Sequence, residues 1–132
     1  MNPLREPFGN MHFRVEIEGL PETGAVEVIF PDARIGTAAN RKRTVDYGSL
    51  VLRRGVTRAR DWYDWWEHAR QARARRKRRV AVILLDAQGA DVHRWIFDAS
   101  EPRAYSLSSL HAMGNAPLIE TLELAVGSFA LA

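Results

Sequence analysis

Residues 48–66 constrain the fold of this chain more than any other stretch. The segment reads GSLVLRRGVTRARDWYDWW, and the alternation around Leu50 and Leu52 indicates a short strand. The strand leads through Gly55 into a sequence rich in tryptophan, which ends in the basic run RARRKRR at residues 73–79. Strand, glycine hinge, aromatic helix and charged loop therefore follow one another without a linker, which is typical of an architectural domain rather than a catalytic one.

The aromatic segment predicts one amphipathic helix that packs on a sheet. Thr57 is the predicted N-cap, and Asp61 and Asp64 would lie early in the helix, where negative charge suits the helix dipole. Tyr63 falls off the apolar stripe, and we expect it to be exposed. The predicted core stripe, at spacing i, i+3, i+4 and i+7, is Trp62, Trp65, Trp66 and Ala69.

Alternating or continuous apolar residues predict about six strands in the rest of the chain. Residues 31–47 have no clear period, so they predict a loop or an irregular hairpin. Pro102 is expected to end a strand, and residues 103–117 to form a polar connection. A tight turn is predicted at residues 87–90. The predicted strands are residues 13–18, 26–30, 49–53, 80–86, 91–98 and 118–126.

These elements predict the fold class and the domain organisation. With one helix, about six strands and no internal repeat, residues 1–132 form a single β-dominated α+β domain. We expect a small antiparallel β-barrel or sandwich with the helix packed against it.

Several classes of protein are disfavoured by composition. The absence of cysteine excludes disulfides and thiolate chemistry, and the four histidines (12, 68, 93 and 111) have no metal-like spacing. No catalytic constellation is present, so we predict no enzyme activity, no cofactor and no metal. The start of the chain lacks the apolar core of a signal peptide, and no run is long enough for a membrane span, which predicts synthesis in the cytoplasm and no membrane anchor.

Charge is distributed unevenly along the chain. The net charge is −4 over residues 1–33, +11 over residues 34–79 and −4 over residues 80–132. Such polarity suits an anionic partner, or it lets copies of the chain attract one another. Three interpretations of the basic run 73–79 follow: a solvated helix end, a nucleic-acid footprint, or a contact with an acidic face of another copy.

The order of the elements resembles the tail tube protein family of contractile-tailed phages and contractile injection systems. One departure is that only 28 residues, 20–47, separate Gly19 from Gly48, which makes the chain a short variant. The matching pieces, in order, are the opening proline, FRVEIEG at 13–19, GSLVLRRGVT at 48–57 with Trp65 or Trp66 after it, VILLD at 82–86 with Gly89, WIF at 95–97, Pro102, and IETLELA at 119–125.

The resemblance implies a structural, tail-tube-like protomer of a virion tail or injection-system particle. Protomers of that family form hexameric rings that stack into a tube within a contractile sheath. Sheath and baseplate proteins are the implied partners, and DNA or protein is the implied cargo of the lumen. The hypothetical subunit or ring interface consists of Arg53, Arg54, Arg73, Arg75, Arg76, Lys77, Arg78 and Arg79.

A second function stays open at this point. A small β-barrel could bind nucleic acid through the basic segments 41–43 and 70–79. Such a module would be monomeric or dimeric and would bind DNA less tightly as salt rises, whereas a tube protomer would form large rings without nucleic acid.

Overall fold

A computed structural model describes residues 12–22, 24–25 and 27–132. The opening proline of the resemblance lies outside these residues. No helix of the described part is long and apolar enough to cross a membrane. The elements are β1 (Phe13–Ile17), β2 (Glu27–Ile29), β3 (Ala33–Thr37), β4 (Arg43–Tyr47), β5 (Ser49–Gly55), α1 (Asp61–Arg70), β6 (Arg78–Leu85), β7 (Asp91–Leu107), β8 (Ile119–Ala125) and β9 (Ser128–Leu131).

Seven of the strands form one antiparallel sheet that bends at a corner. Its order is β1-β6-β7-β8-β5-β2, and β9 also pairs with β7. The first half of β7 pairs with β6 and β9, whereas residues 101–107 of the same strand pair with β8. The sheet therefore has two halves joined through β7. We call the half that contains β2, β5, β8 and residues 101–107 the β5–β8 half-sheet.

The two halves enclose a single apolar core with α1. Val15, Val82 and Phe97 come from one half, and Leu50 and Leu122 come from the other, yet all belong to one buried cluster. Because β1 and β2 are unpaired ends of the described sheet order, the arrangement is an open sandwich rather than a closed barrel. The expectation of a β-dominated antiparallel domain with one helix is confirmed.

The corner of the sheet corrects the prediction that Pro102 ends a strand. Instead, β7 continues through Pro102 to Leu107, and the register shifts between Pro102 and Ala104. A proline has no N–H to donate, so a bulge accommodates it without breaking the strand. Gly127 lies across the corner, where an added Cβ would come within 2.8 Å of the Ala99 Cβ. The predicted strand 118–126 is β8, and a separate short strand, β9, follows Gly127.

Residues 31–47, for which the sequence predicts a loop or an irregular hairpin, contain a regular hairpin. Strands β3 and β4 pair in register from Ala33 opposite Tyr47 to Thr37 opposite Arg43. They make a separate two-stranded sheet within the described structure. The sequence failed to predict strands here because most side chains of both strands are exposed, so no apolar alternation is required.

The helix begins later than predicted. Arg60, not Thr57, is at the N-cap position, and no side chain caps the helix there. The Thr57 hydroxyl accepts a hydrogen bond from the Ala59 N–H at 3.2 Å, which stabilises a turn before the helix. Within the helix, Trp62 and Trp65 are buried in the core, and Trp66 packs against it from a half-buried position. Ala69, the fourth residue of the predicted stripe, is half-buried. The side of the helix that carries the three tryptophans therefore faces the core.

Candidate subunit interface

The β5–β8 half-sheet has two chemically different ends. At one end, Ser49 lies opposite Ala125, and the Gly48 N–H donates to the Asp32 carbonyl at 3.0 Å at the base of the β3–β4 hairpin. We call this the hairpin end. At the other end, Gly55 lies opposite Ile119, and residues 108–118 connect β7 to β8. We call this the loop end. The seven residues of β5 separate the two ends by about 20 Å.

The β3–β4 hairpin carries an exposed apolar pair. Ile35 and Val45 are register partners and are 70% and 51% exposed. Because side chains alternate along a strand, directly opposed partners project from the same face of the hairpin. The turn beyond this pair is basic, with exposed Arg41 and Lys42, and Arg41 has a positive φ of 64°. The hairpin therefore has an apolar face and a cationic tip.

The loop end carries a second group of exposed apolar side chains. Its members share a position near the junctions of β5, β7 and β8: the Val56 N–H donates to the Leu118 carbonyl, and Leu107 lies opposite Glu120. Leu110 and Met113 are 81% and 98% exposed in the connecting loop. We call this group the loop-end patch. It consists of Val56, Leu107, Leu110 and Met113.

The basic run 73–79 lies by the corner, at the hairpin end, and part of it is bonded within the protomer. The Arg76 guanidinium donates to Glu101 at 2.9 Å, and that of Arg79 donates to Asp98 at 2.6 Å. Arg78 donates to the Glu18 backbone carbonyl at 2.7 Å. These three side chains therefore fasten the start of β6 to neighbouring strands and are less available to a partner than the sequence suggests.

Three other basic side chains of the run point into solvent. Arg73, Arg75 and Lys77 are exposed, and none of them forms a side-chain ion pair with the described residues. The Trp65 indole N–H donates to the Arg76 carbonyl at 2.6 Å, so the loop backbone is anchored to the helix while these three charges stay free. They are the part of the predicted interface that a neighbouring molecule can reach.

Arg53 and Arg54 have opposite environments, and this corrects one predicted interface residue. Arg53 pairs with Glu27 at 3.0 Å on the outer side of the sheet. Arg54 is 5% exposed and lies inside the protomer, so it cannot contact another subunit. Side chains alternate between the two faces of a strand, and Arg54 continues the inward row of Leu50 and Leu52.

Arg54 is the centre of a buried polar network. Its guanidinium donates to the Glu120 carboxylate at 2.5 Å and also bonds to Asp61 at the start of α1. The Tyr105 hydroxyl donates to the other Glu120 oxygen at 2.7 Å. The guanidinium also lies over the Trp62 ring, 4.1 Å from its centroid. The network thus joins β5, β7, β8 and α1.

The network shifts the pKa of two of its members. Burial lowers the pKa of Arg54, but the hydrogen bonds to Asp61 and Glu120 outweigh it and leave the pKa above its ordinary value. Burial, together with the hydrogen bond to Glu120, raises the pKa of the Tyr105 hydroxyl to about 12. Arg54 therefore stays charged and Tyr105 stays neutral at physiological pH. No local sequence pattern indicates this network, because its members are far apart along the chain.

Several acidic side chains from the N-terminal and C-terminal segments form ion pairs with arginines on the outer face of the half of the sheet that contains β1, β6 and the first part of β7. Arg14 bonds to Asp91 at 3.1 Å and to Glu16 at 3.3 Å, and Arg94 bonds to Asp91 at 3.3 Å. These ion pairs neutralise part of the acidic charge of the flanks among the residues that the structure describes. Among the described residues, no group of three acidic or histidine side chains could hold a metal ion.

Comparison with known proteins decides the family. The model of the family described as T4-like virus tail tube protein gp19 matches residues 9–130. This chain belongs to the tail tube protein family. No curated protein sequence matches it directly. Proteins of this family are structural components of tubes.

Several solved structures contain chains with the same fold. A chain of the anti-feeding prophage baseplate, solved with 6-fold symmetry, has a TM-score of 0.78 and 20% identity, with 96% of each chain covered. A chain of the PVC sheath-tube complex, an extracellular contractile injection system in the extended state, has a TM-score of 0.72 and 15% identity, covering 98% of this tail tube protein and 93% of that chain. Hcp1 from Flavobacterium johnsoniae has a TM-score of 0.68 and 13% identity, covering 91% and 94%.

Proposed function

We propose that this tail tube protein forms hexameric rings that stack around a lumen within a contractile sheath. The observation that carries the proposal is the family match over residues 9–130, combined with an open sheet whose edges can pair with neighbours. Unpaired edge strands present free N–H and C=O groups, and joining them between subunits satisfies these groups. A 6-fold arrangement is supported by the symmetry given for the anti-feeding prophage baseplate, which contains a chain of this fold.

The proposed partners are sheath and baseplate proteins, and the proposed cargo of the lumen is DNA or protein. The likeness to chains of a sheath-tube complex and a baseplate supports this assignment. We place Arg73, Arg75 and Lys77 at a contact with an acidic surface of the surrounding sheath. Their exposure and lack of ion pairs with described residues support this placement.

A nucleic-acid-binding module is less well supported. Arg76 and Arg79 bond to carboxylates, and Arg78 bonds to a carbonyl, so these guanidinium groups would have to leave existing partners to contact phosphates. We infer that the basic run serves protein contacts rather than DNA recognition. We also propose that the protein catalyses no reaction.

Sedimentation velocity of the purified protein without nucleic acid tests the proposal. We expect a species of six times the 15.0 kDa protomer mass, together with larger multiples of it. A monomer or dimer that binds DNA, with affinity falling steeply as salt rises, would instead favour the nucleic-acid-binding module.

A further inference from the structure

The loop that joins α1 to β6 has a strained backbone. We call residues 71–77 the α1–β6 loop. The N–H groups of Ala72 and Arg73 each donate to a carbonyl of the last helical turn at 3.0 Å, in the pattern of a Schellman motif. The left-handed position of such a motif is usually a glycine, but here it is Ala72, with a φ of 52°. Arg75 follows with a φ of 65°, so two non-glycine residues hold a backbone conformation that their side chains disfavour.

Hydrogen bonds at Arg76 hold the loop in this conformation. The Trp65 indole N–H donates to the Arg76 carbonyl at 2.6 Å. The Arg76 guanidinium donates to the Glu101 carboxylate at 2.9 Å and to the Arg73 carbonyl at 3.4 Å. Trp65 is 1% exposed, so its bond fastens the loop backbone to the protein core. Because strained backbone persists only where the surrounding structure determines it, Trp65 is central to the shape of the loop.

The fixed backbone decides which charges of the loop face solvent. Arg76 and Arg78 are half-buried, whereas Arg75 and Lys77 are exposed, since side chains alternate as the loop extends into β6. Arg73 is exposed before them, and its carbonyl is tied to the Arg76 guanidinium. The backbone positions of the three exposed cations therefore keep one arrangement.

We propose that Trp65 is a positioning residue, whose indole N–H presents Arg73, Arg75 and Lys77 as one preorganised surface for clustered carboxylates of the sheath. The proposal rests on the sheath contact proposed above and names the residue that shapes it. A loop that already has its bound conformation loses less conformational freedom on binding than a mobile loop with the same charges. The bond from Trp65 therefore strengthens a contact that Trp65 itself does not touch.

Trp62 shows that burial of an indole does not by itself produce this bond. It is wholly buried in the same helix, and its indole N–H has no hydrogen-bond partner among the described residues. Trp62→Phe and Trp65→Phe remove the same atoms from the core. Of the two, Trp65→Phe alone removes the described hydrogen bond to the α1–β6 loop. Trp62→Phe is therefore the matched control.

Limited trypsin digestion of the full chain measures the order of the loop without any partner. Cleavage requires a segment to leave its folded conformation, and cuts outside residues 73–79 report global unfolding as an internal reference. We expect Trp65→Phe to raise the rate of cleavage within residues 73–79 by about tenfold, and Trp62→Phe to leave it nearly unchanged. Adding Ala72→Gly to Trp65→Phe should restore part of the resistance, since glycine adopts a left-handed φ without strain. Equal loop cleavage in the two phenylalanine variants would overturn the positioning role.

Binding of the assembled protein to the sheath protein of the same particle tests the partner. We expect the dissociation constant to rise by about tenfold for Trp65→Phe and to stay unchanged for Trp62→Phe. A triple variant with Arg73→Ala, Arg75→Ala and Lys77→Ala should also bind the sheath protein weakly. Weak binding by the triple variant together with natural affinity for Trp65→Phe would overturn the positioning role and leave the proposed sheath contact intact.

Two other results would overturn the proposal at the level of the partner. Equal sheath binding by the triple variant and the natural protein would show that these cations lie away from the sheath. Binding of duplex DNA by the natural protein, lost in the triple variant, would assign the loop to nucleic acid. Rings and tubes seen by microscopy in either case would leave the assembly part of the proposed function standing.

Discussion

Arg54 and Glu120 form an ion pair inside the protomer, with the guanidinium donating to the carboxylate at 2.5 Å. Both residues are at most 5% exposed, and they come from strands β5 and β8, which are neighbours in the sheet. The pair extends to Asp61 and Tyr105, so it fixes the start of α1 against the β5–β8 half-sheet.

Removing one partner of this pair should destabilise the protomer strongly. We expect Arg54→Met or Glu120→Leu to lower the free energy of unfolding by about 3–5 kcal/mol, because each leaves a buried charge without its partner. The variant with both substitutions should lose less free energy of unfolding than either single variant. Urea denaturation of the dissociated protomer measures all three.

Arg53 provides the matched control for this prediction. It neighbours Arg54 in the same strand, but its ion pair with Glu27 is largely exposed to solvent. Arg53→Met should change the free energy of unfolding by less than about 1 kcal/mol. Equal losses for Arg53→Met and Arg54→Met would contradict the buried network.

Tyr105 should make stability fall at high pH. Burial raises its pKa to about 12 in the folded protein, above the ordinary value near 10, so the folded state holds the proton more tightly than the unfolded state. The contribution of Tyr105 to stability is complete below about pH 10 and is lost as the pH rises toward about 12. We expect thermal denaturation to show a steeper loss across this window for the natural protein than for Tyr105→Phe. Parallel plots of thermal stability against pH for the two proteins would refute the raised pKa of Tyr105.

Gly127 should tolerate no side chain at the corner of the sheet. An added Cβ would lie 2.8 Å from the Ala99 Cβ and 3.1 Å from the Asp98 carbonyl oxygen. Backbone must shift to relieve this contact, so we expect Gly127→Ala to cost about 1–3 kcal/mol of folding stability. Gly55→Ala is the control, since nothing lies within 4 Å of a Cβ there. A chemical denaturation curve unchanged by Gly127→Ala would show that the corner relaxes freely.

Stacked tubes should survive an increase in salt. Ile35 and Val45 are exposed apolar partners on the hairpin, we expect stacked rings to bury them, and salt does not weaken burial of apolar surface. Ile35→Asp should shorten the tubes at every salt concentration, whereas Arg34→Ser, on the neighbouring position of β3, should not. Light scattering during a salt titration measures the length of the tubes that each variant forms. Dissolution of the tubes as salt rises would favour a contact between complementary charges.

Much of the fold followed from short-range patterns in the sequence. Strand β6 was predicted from its continuous apolar run, and the β6–β7 turn from Gly89, which has a φ of 83°. The errors arose where tertiary structure overrides a local rule. Pro102 stays within a strand because a bulge removes the need for its N–H.

The candidate interface was less predictable than the fold. The basic run was conspicuous in sequence, but only the structure shows that Arg76 and Arg79 pair with Glu101 and Asp98 across the corner. Arg54 and Glu120 are 66 positions apart, so no local pattern connects them. The sequence also could not show that the hairpin and the loop-end patch lie at opposite ends of one half-sheet, because strand order determines this.

Negative-stain electron microscopy of the purified protein, at low and at moderate salt, tests the central claim most directly. We predict uniform rings and stacked tubes with a central lumen at both salt concentrations and without nucleic acid. Only small monodisperse particles under both conditions would contradict the account of this chain as a self-assembling tube protomer.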